Sequence, residues 1–249
     1  MKYRCQSYND FCPFCYNNFN YAIPYSYKRI PPKTNNLTVT TSEIFNENNK
    51  IHEDLRIPVL HGNVNPQVVN YINNNIKNDI LEFKSEMEIS AEENAVTSQS
   101  QGKKVVPVQI SNIYLITYNK NNILSISIIY QQNINGKNYF IRTSYNYDLQ
   151  SGESMPFRDL FRKGIDYKGI INNRIRQKIQ QNSKAYFPNT LSKFKGVADD
   201  QPYYLEGNNL VTFFDFNEIA PVASDIPVVK IPLYELRDII KPNLLRTEG

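Results

Sequence analysis

The chain has almost none of the residues on which most metal and acid–base centres rely. Histidine occurs only at His52 and His61, too few and too near a turn to build the usual zinc or proton-transfer constellations; His61, beside Gly62, reads as a turn residue. Cysteine occurs only at Cys5, Cys12 and Cys15, so no disulfide framework staples the body. No stretch approaches the roughly 18 consecutive apolar residues that a membrane-spanning helix needs. Neither sign of charge dominates: 28 basic residues face 24 acidic ones for a net +4, too even a spread for a nucleic-acid-binding surface. Phosphate-binding, dinucleotide-binding and serine-elbow patterns are absent as well. Near the start, Gln6, Ser7, Asn9 and Asp10 break up any apolar segment of a signal peptide. The expected location is therefore cytoplasmic, with deposition on a spore surface as a second expectation.

What is present is a globular composition: 41% hydrophobic residues, 18 Tyr and 13 Phe in 249 residues, enough to bury a core without staples. Residues 1–36 form a tail rich in Tyr, Phe, Asn and Cys that ends in the extended "RIPPK". "NLTVTTSEIFNENNKIHEDLRIPVLHG" reads as two strands before Gly62. A helix follows, capped by Asn65 with Pro66 in its first turn; Val68, Ile72, Ile76, Ile80, Phe83 and Met87 form one apolar stripe. Ser90–Lys104 reads as a solvated loop after it.

"VQISNIYLITYN" and "NILSISIIYQQN" are strands joined by an Asn-rich turn. Leu124, Ile126, Ile128 and Tyr130 share one face of the second, opposite Ser125 and Ser127, which describes a half-buried antiparallel strand. The Asn135–Gly136 hairpin turn adds a third strand and makes a meander. Asp166 caps a second helix with Ile171, Ile175 and Ile179 on one face; its basic residues Arg174, Arg176 and Lys178 read as a solvated face rather than an anion site. "QPYYLE", "NLVTFFDF" and "PVVKI" are further strands, and "PLYELRDIIK" a final helix between Pro232 and Pro242. Grouped strands with hairpin signals and no repeated strand–helix–strand unit argue for an α+β fold, an antiparallel sheet of meander plus C-terminal strands covered by helices. The body divides into subdomains 37–145 and 146–249, sharing one sheet.

Three blocks carry a resemblance. "IPVLHGNVNPQVVNYINNNI", "YNYDLQSGESMPFRDLF" and "LVTFFDFNEIAPVASDIPVVKIPLYEL" resemble, in order, the paired domains of unknown function of RsiV-type anti-sigma factor ectodomains and of the non-catalytic region of PdaC-type peptidoglycan deacetylases. The matching positions are Pro58, Gly62, Ile72 and Asn73; then Asp148, Gly152, Glu153, Asp159, Leu160 and Phe161; then Phe216, Glu218, Ile219, Ala220, Pro221, Ile226, Pro227, Ile231, Pro232 and Leu236. The resemblance implies a non-catalytic module, without metal or cofactor, that binds a protein or cell-wall ligand. Sensing members contact lysozyme through this face, but the loop here, Pro221–Asp225, has neither the aromatic nor the glycine of the family pattern, and so lacks the anchor on which such an interface relies.

Asp215, Glu218 and Asp225 are expected to form an exposed acidic rim around apolar Ile219, Pro221 and Val222, suited to a basic partner. The bland alternative is that Pro221, Pro227 and Pro232 only mark a loop, a strand start and a helix start. Asp148, Glu153, Asp159 and Glu218 could approach one another as a glycosidase-like pair, although nothing requires it, and no enzyme is expected. "CPFC" lies outside any strand–helix unit, and the three cysteines have no fourth zinc ligand nearby. The alternative function is structural: a spore-surface or envelope protein that assembles through oxidation of Cys5, Cys12 and Cys15.

Overall fold

A computed structural model describes residue 35 and residues 37–216, 218–221 and 228–244. Strand β1 (Leu37–Glu47) turns into β2 (Ile51–Gly62), and the long helix α1 (Pro66–Ser100) follows. Strands β3 (Val108–Lys120), β4 (Ile123–Ile134) and β5 (Lys137–Asp148) form the meander. A 3₁₀ turn at Phe157–Leu160, helix α2 (Tyr167–Gln181) and the single turn α3 (Thr190–Lys193) lead to β6 (Tyr203–Glu206), β7 (Asn209–Phe213) and β8 (Val228–Pro232). The fold is α+β, with helices laid on sheets.

Local chemistry places these elements. Asn65 Oδ1 accepts from Gln67 N at 3.0 Å, and Asp166 Oδ1 from Gly169 N at 3.0 Å, so each helix begins on the capping residue expected of it. The β3–β4 turn holds Asn121 and Asn122 at φ 57° and 61°, and the β4–β5 turn holds Asn135 and Gly136 at 53° and 78°, the left-handed pairs that match the twist of a tight hairpin. Helix α1 runs eleven residues beyond the end expected for it, through Ser100. The reason is that Ala91 and Ala95 continue the apolar stripe in small residues, each only 1% exposed. Glu92 anchors this part through Lys50 Nζ, at 2.6 and 2.8 Å, and Asn94 through the carbonyl of Val106 at 3.1 Å.

The strands do not share one sheet. They divide into a five-stranded sheet ordered β1-β2-β3-β4-β5 and a three-stranded sheet ordered β6-β7-β8. All pairs are antiparallel except β2–β3, parallel over Ile51–Asp54 against Val108–Ser111. Beyond that short ladder Asn112, itself buried, substitutes for a strand: its amide accepts from Arg56 N at 2.6 Å and donates to Arg56 O at 2.9 Å.

Two cores result. In the first, α1 covers one face of the large sheet, with Ile72, Ile76 and Ile80 against Leu55, Ile126 and Ile128. In the second, α2 packs Ile171, Ile175 and Ile179 on the small sheet together with Phe157, Leu160 and Leu236, and Tyr118 and Ile123 of the large sheet join it. Strand β4 is therefore not half-buried: Ser125 and Ser127 are 0% and 5% exposed. The serine face meets the edge strand β6 rather than water. Ser125 Oγ accepts from Leu205 N at 3.2 Å and lies 2.6 Å from Asn146 Oδ1, and Asn146 Nδ2 donates to Tyr203 O at 2.8 Å. A sheet edge carries unpaired backbone groups, and a polar stripe is what satisfies them.

The expected final helix is a 3₁₀ turn, Leu233–Leu236, continued by turns. Leu233, Leu236, Ile239 and Ile240 of this segment are buried, and the N–H groups of both Ile239 and Ile240 donate to Leu236 O, so the ladder divides between three- and four-residue spacing and does not propagate as an α-helix. Arg162 holds the segment, donating from Nε to Ile240 O at 3.1 Å and from Nη2 to Arg237 O at 3.0 Å.

Candidate functional site

The residues of the third family-like block open one side of a cleft. Asp215 N donates to Glu218 Oε2 at 2.9 Å and Glu218 N to Asp215 O at 3.0 Å, so the two close a turn at the end of β7. The turn sends Ile219 inward, 5% exposed, where its carbonyl accepts from Phe187 N at 3.0 Å and lies 2.9 Å from Thr190 Oγ1. The opposite wall comes from the segment around α3. There Gly196, at φ 113°, passes so close to Asn172 that a Cβ would lie 2.7 Å from its Nδ2, and Asn172 Oδ1 accepts from Val197 N at 2.8 Å. Gln201, buried, donates from Nε2 to Phe213 O at 2.8 Å and ties this wall to β7.

Between the walls lies a cleft of about 730 Å³, a size that suits a small ligand or a few residues of a chain. Phe187 borders it with a ring that is 36% exposed, and the buried rings of Phe194 and Phe214 meet edge-on with centroids 5.9 Å apart. Lys193 and Lys195 stand exposed along it, as do Asp215 and Glu218.

The acidic rim expected around an apolar centre is thus corrected in one respect: Asp215 and Glu218 are exposed and border the cleft, but Ile219 is part of the second core. A β-turn buries it because its backbone carbonyl is needed by two donors on the facing wall. Pro221 is partly buried and outside the cleft lining. Val222 and Asp225, like Cys5, Cys12 and Cys15, lie outside the described residues. Phe187, Lys193 and Lys195 belong to a stretch that reads from sequence only as a polar connection; its one signal was the pair of phenylalanines, Phe187 and Phe194, within it.

Other candidate residues have structural duties. Asp148, Glu153 and Asp159 border a cavity of about 160 Å³ with Lys241, while Glu218 borders the larger cleft, so the four carboxylates do not converge. Asp148 Oδ1 accepts from Gln150 N at 2.8 Å and Asp148 N donates to Glu153 O at 3.0 Å, both closing the turn after β5. Of the basic strip, Arg174 Nε lies 3.4 Å from Glu235 Oε2 and Arg176 lies over the ring of Phe194, 5.4 Å from its centroid. His61 Nε2 lies 2.8 Å from Thr40 Oγ1 across the β1–β2 pair, so it is a strand residue and not part of a turn. Among the described residues no cluster of three His, Cys, Asp or Glu has a geometry that would hold a metal ion, and no helix is long and apolar enough to cross a membrane.

Residues 44–136 match the family described as Deacetylase PdaC, and residues 158–234 match the family described as Protein of unknown function (DUF3298). No curated protein matches the chain. Among the solved structures that share the fold are two of the DUF3298 family. A DUF3298 family member from Bacteroides fragilis is 12% identical with a TM-score of 0.65, over 85% of this chain and 96% of that one. A DUF3298 family protein from Pseudomonas aeruginosa PAO1 is 16% identical with a TM-score of 0.58, over 85% of this chain and 97% of that one. The chain is therefore one of those that carry a PdaC-type domain followed by a DUF3298 domain, a pair whose function is unknown.

Proposed function

We propose that the chain is a non-catalytic recognition module, and that it holds a protein or cell-wall ligand in the cleft between α3 and β7. One observation carries this reading: Asp215 and Glu218, in the block most like the family pattern, border the cleft alongside the exposed ring of Phe187. Such a mixture of aromatic surface and a few placed polar groups is characteristic of binding sites. The catalytic alternative has less support, because the carboxylates divide between two cavities and two of them close a turn.

The test compares the native chain with a Phe187→Ala variant for capture of isolated cell-wall fragments and of proteins from the same cells. Removing an exposed aromatic from the centre of a binding site costs on the order of 2 kcal/mol. Capture by the native chain should therefore fall by roughly thirty-fold in the variant, with thermal stability unchanged. Equal capture by both chains would remove the cleft as the binding site.

A further inference from the structure

Four charged side chains border the cleft, two of each sign. Lys193 and Lys195 are exposed at and just after α3, and Asp215 and Glu218 are exposed on the turn after β7. Among the described residues none of the four has an ion-pair partner. Glu218 spends one oxygen on the backbone of Asp215; the carboxylate of Asp215 accepts no hydrogen bond from a described residue. Lys230, Lys168 and Arg174, by contrast, are each neutralised by a neighbouring carboxylate. The cleft thus presents a cationic wall and an anionic wall, neither of them ion-paired among the described residues, and aromatic surface contributed by Phe187.

We propose that the cleft takes a short peptide with both ends free, its carboxylate against Lys193 and Lys195 and its ammonium group against Asp215 and Glu218, with an apolar side chain on the ring of Phe187. This rests on reading the cleft as the recognition site and adds the chemical class of the ligand. Charge complementarity selects it. A polyanion would be repelled by Asp215 and Glu218 and a polycation by Lys193 and Lys195, while a zwitterion meets both walls favourably. A neutral glycan would use the ring and leave all four charges unanswered.

The probe is the tripeptide Ala-Phe-Ala, with its N-acetylated, C-amidated and doubly blocked forms, titrated into the full chain labelled for NMR. The free peptide should shift the amides of Phe187, Lys193, Lys195, Gly196, Asp215 and Glu218, and each single block should weaken binding about three- to five-fold, the range of one exposed ion pair. Lys193→Met with Lys195→Met should abolish the effect of C-amidation, and Asp215→Asn, which leaves Glu218 in place, should reduce that of N-acetylation; all three residues are exposed, so the fold and the remaining spectrum should stay unchanged. Equal binding of free and doubly blocked peptide overturns the zwitterion and leaves the recognition reading standing. If no peptide moves the cleft amides while Phe187→Ala still loses capture of wall fragments or protein, the ligand class is wrong and the site is right. If Phe187→Ala keeps its capture as well, the recognition reading falls with it.

Discussion

Asn73 makes two hydrogen bonds that a side chain without an amide cannot replace. Its Oδ1 accepts from Leu60 N at 2.8 Å and its Nδ2 donates to Leu60 O at 3.0 Å, so helix α1 reads the backbone at the end of β2 as a neighbouring strand would. Leu60 is 1% exposed. The same economy recurs elsewhere in the family-like blocks. Gly152 holds φ 80° against Val68, where a Cβ would approach Cγ1 to 3.3 Å, and Leu160 and Phe161 are buried in the second core. These positions report how the chain folds, which is why the pattern is informative about fold and silent about ligand. Asn73→Ala should lower stability by roughly 2 kcal/mol, because it strands a buried N–H and a buried C=O. Asn74→Ala, one residue along on the exposed side of the helix, should stay within about 0.5 kcal/mol. Urea unfolding of both variants decides: equal, small effects would show that the amide bridge contributes nothing.

At the scale of elements, what the sequence makes legible is whatever depends on neighbours in the chain. Asn65 and Asp166 cap helices, and the left-handed pairs at Asn121–Asn122 and Asn135–Gly136 close hairpins, because each acts within a few residues of itself. Three features escape because their cause is distant. A serine face looks the same whether it meets water or, as Ser125 does, the edge of another sheet. Ile219 on an acidic turn looks exposed until the wall that claims its carbonyl is in place. One wall of the cleft includes Phe187, Lys193 and Lys195, and Gln201 ties that wall to β7 and so to Asp215. Helix α1 is the intermediate case: "SAEENAV" is polar enough to read as a loop, yet Ala91 and Ala95 fall on the stripe. If that last part of the helix is as firm as its packing indicates, Ala91→Gly should cost about 1–2 kcal/mol, the helix penalty of glycine plus a lost buried methyl. A loop would tolerate the change within about 0.5 kcal/mol, and circular dichroism through a urea titration separates the two.

For the whole molecule the question is whether two domains matched separately, 44–136 and 158–234, fold separately. The packing argues that they do not. Tyr118 and Ile123 belong by sequence to the first domain and by burial to the second core. Tyr203 donates from its hydroxyl to Met155 O at 2.6 Å, and its burial raises the phenol pKa above the usual range; the carbonyl of the same residue accepts from Asn146. Separating the halves would expose this apolar surface and leave the backbone of β6 unpaired on one side. Neither half has a substitute, since β6 is the edge of its sheet and Ser125 is fully buried beneath it. The native chain should therefore unfold in one cooperative step, with far-ultraviolet ellipticity and near-ultraviolet tyrosine signals coincident. Asn146→Ala, which strands Tyr203 O and removes a partner of Ser125, should move that single step to lower urea by roughly 2 kcal/mol without splitting it. A native chain with two separated transitions would show instead that the joint is a contact between independent domains. Asn146→Ala would then shift the two transitions separately, the first through the lost bond to Ser125 and the second through the stranded carbonyl of Tyr203.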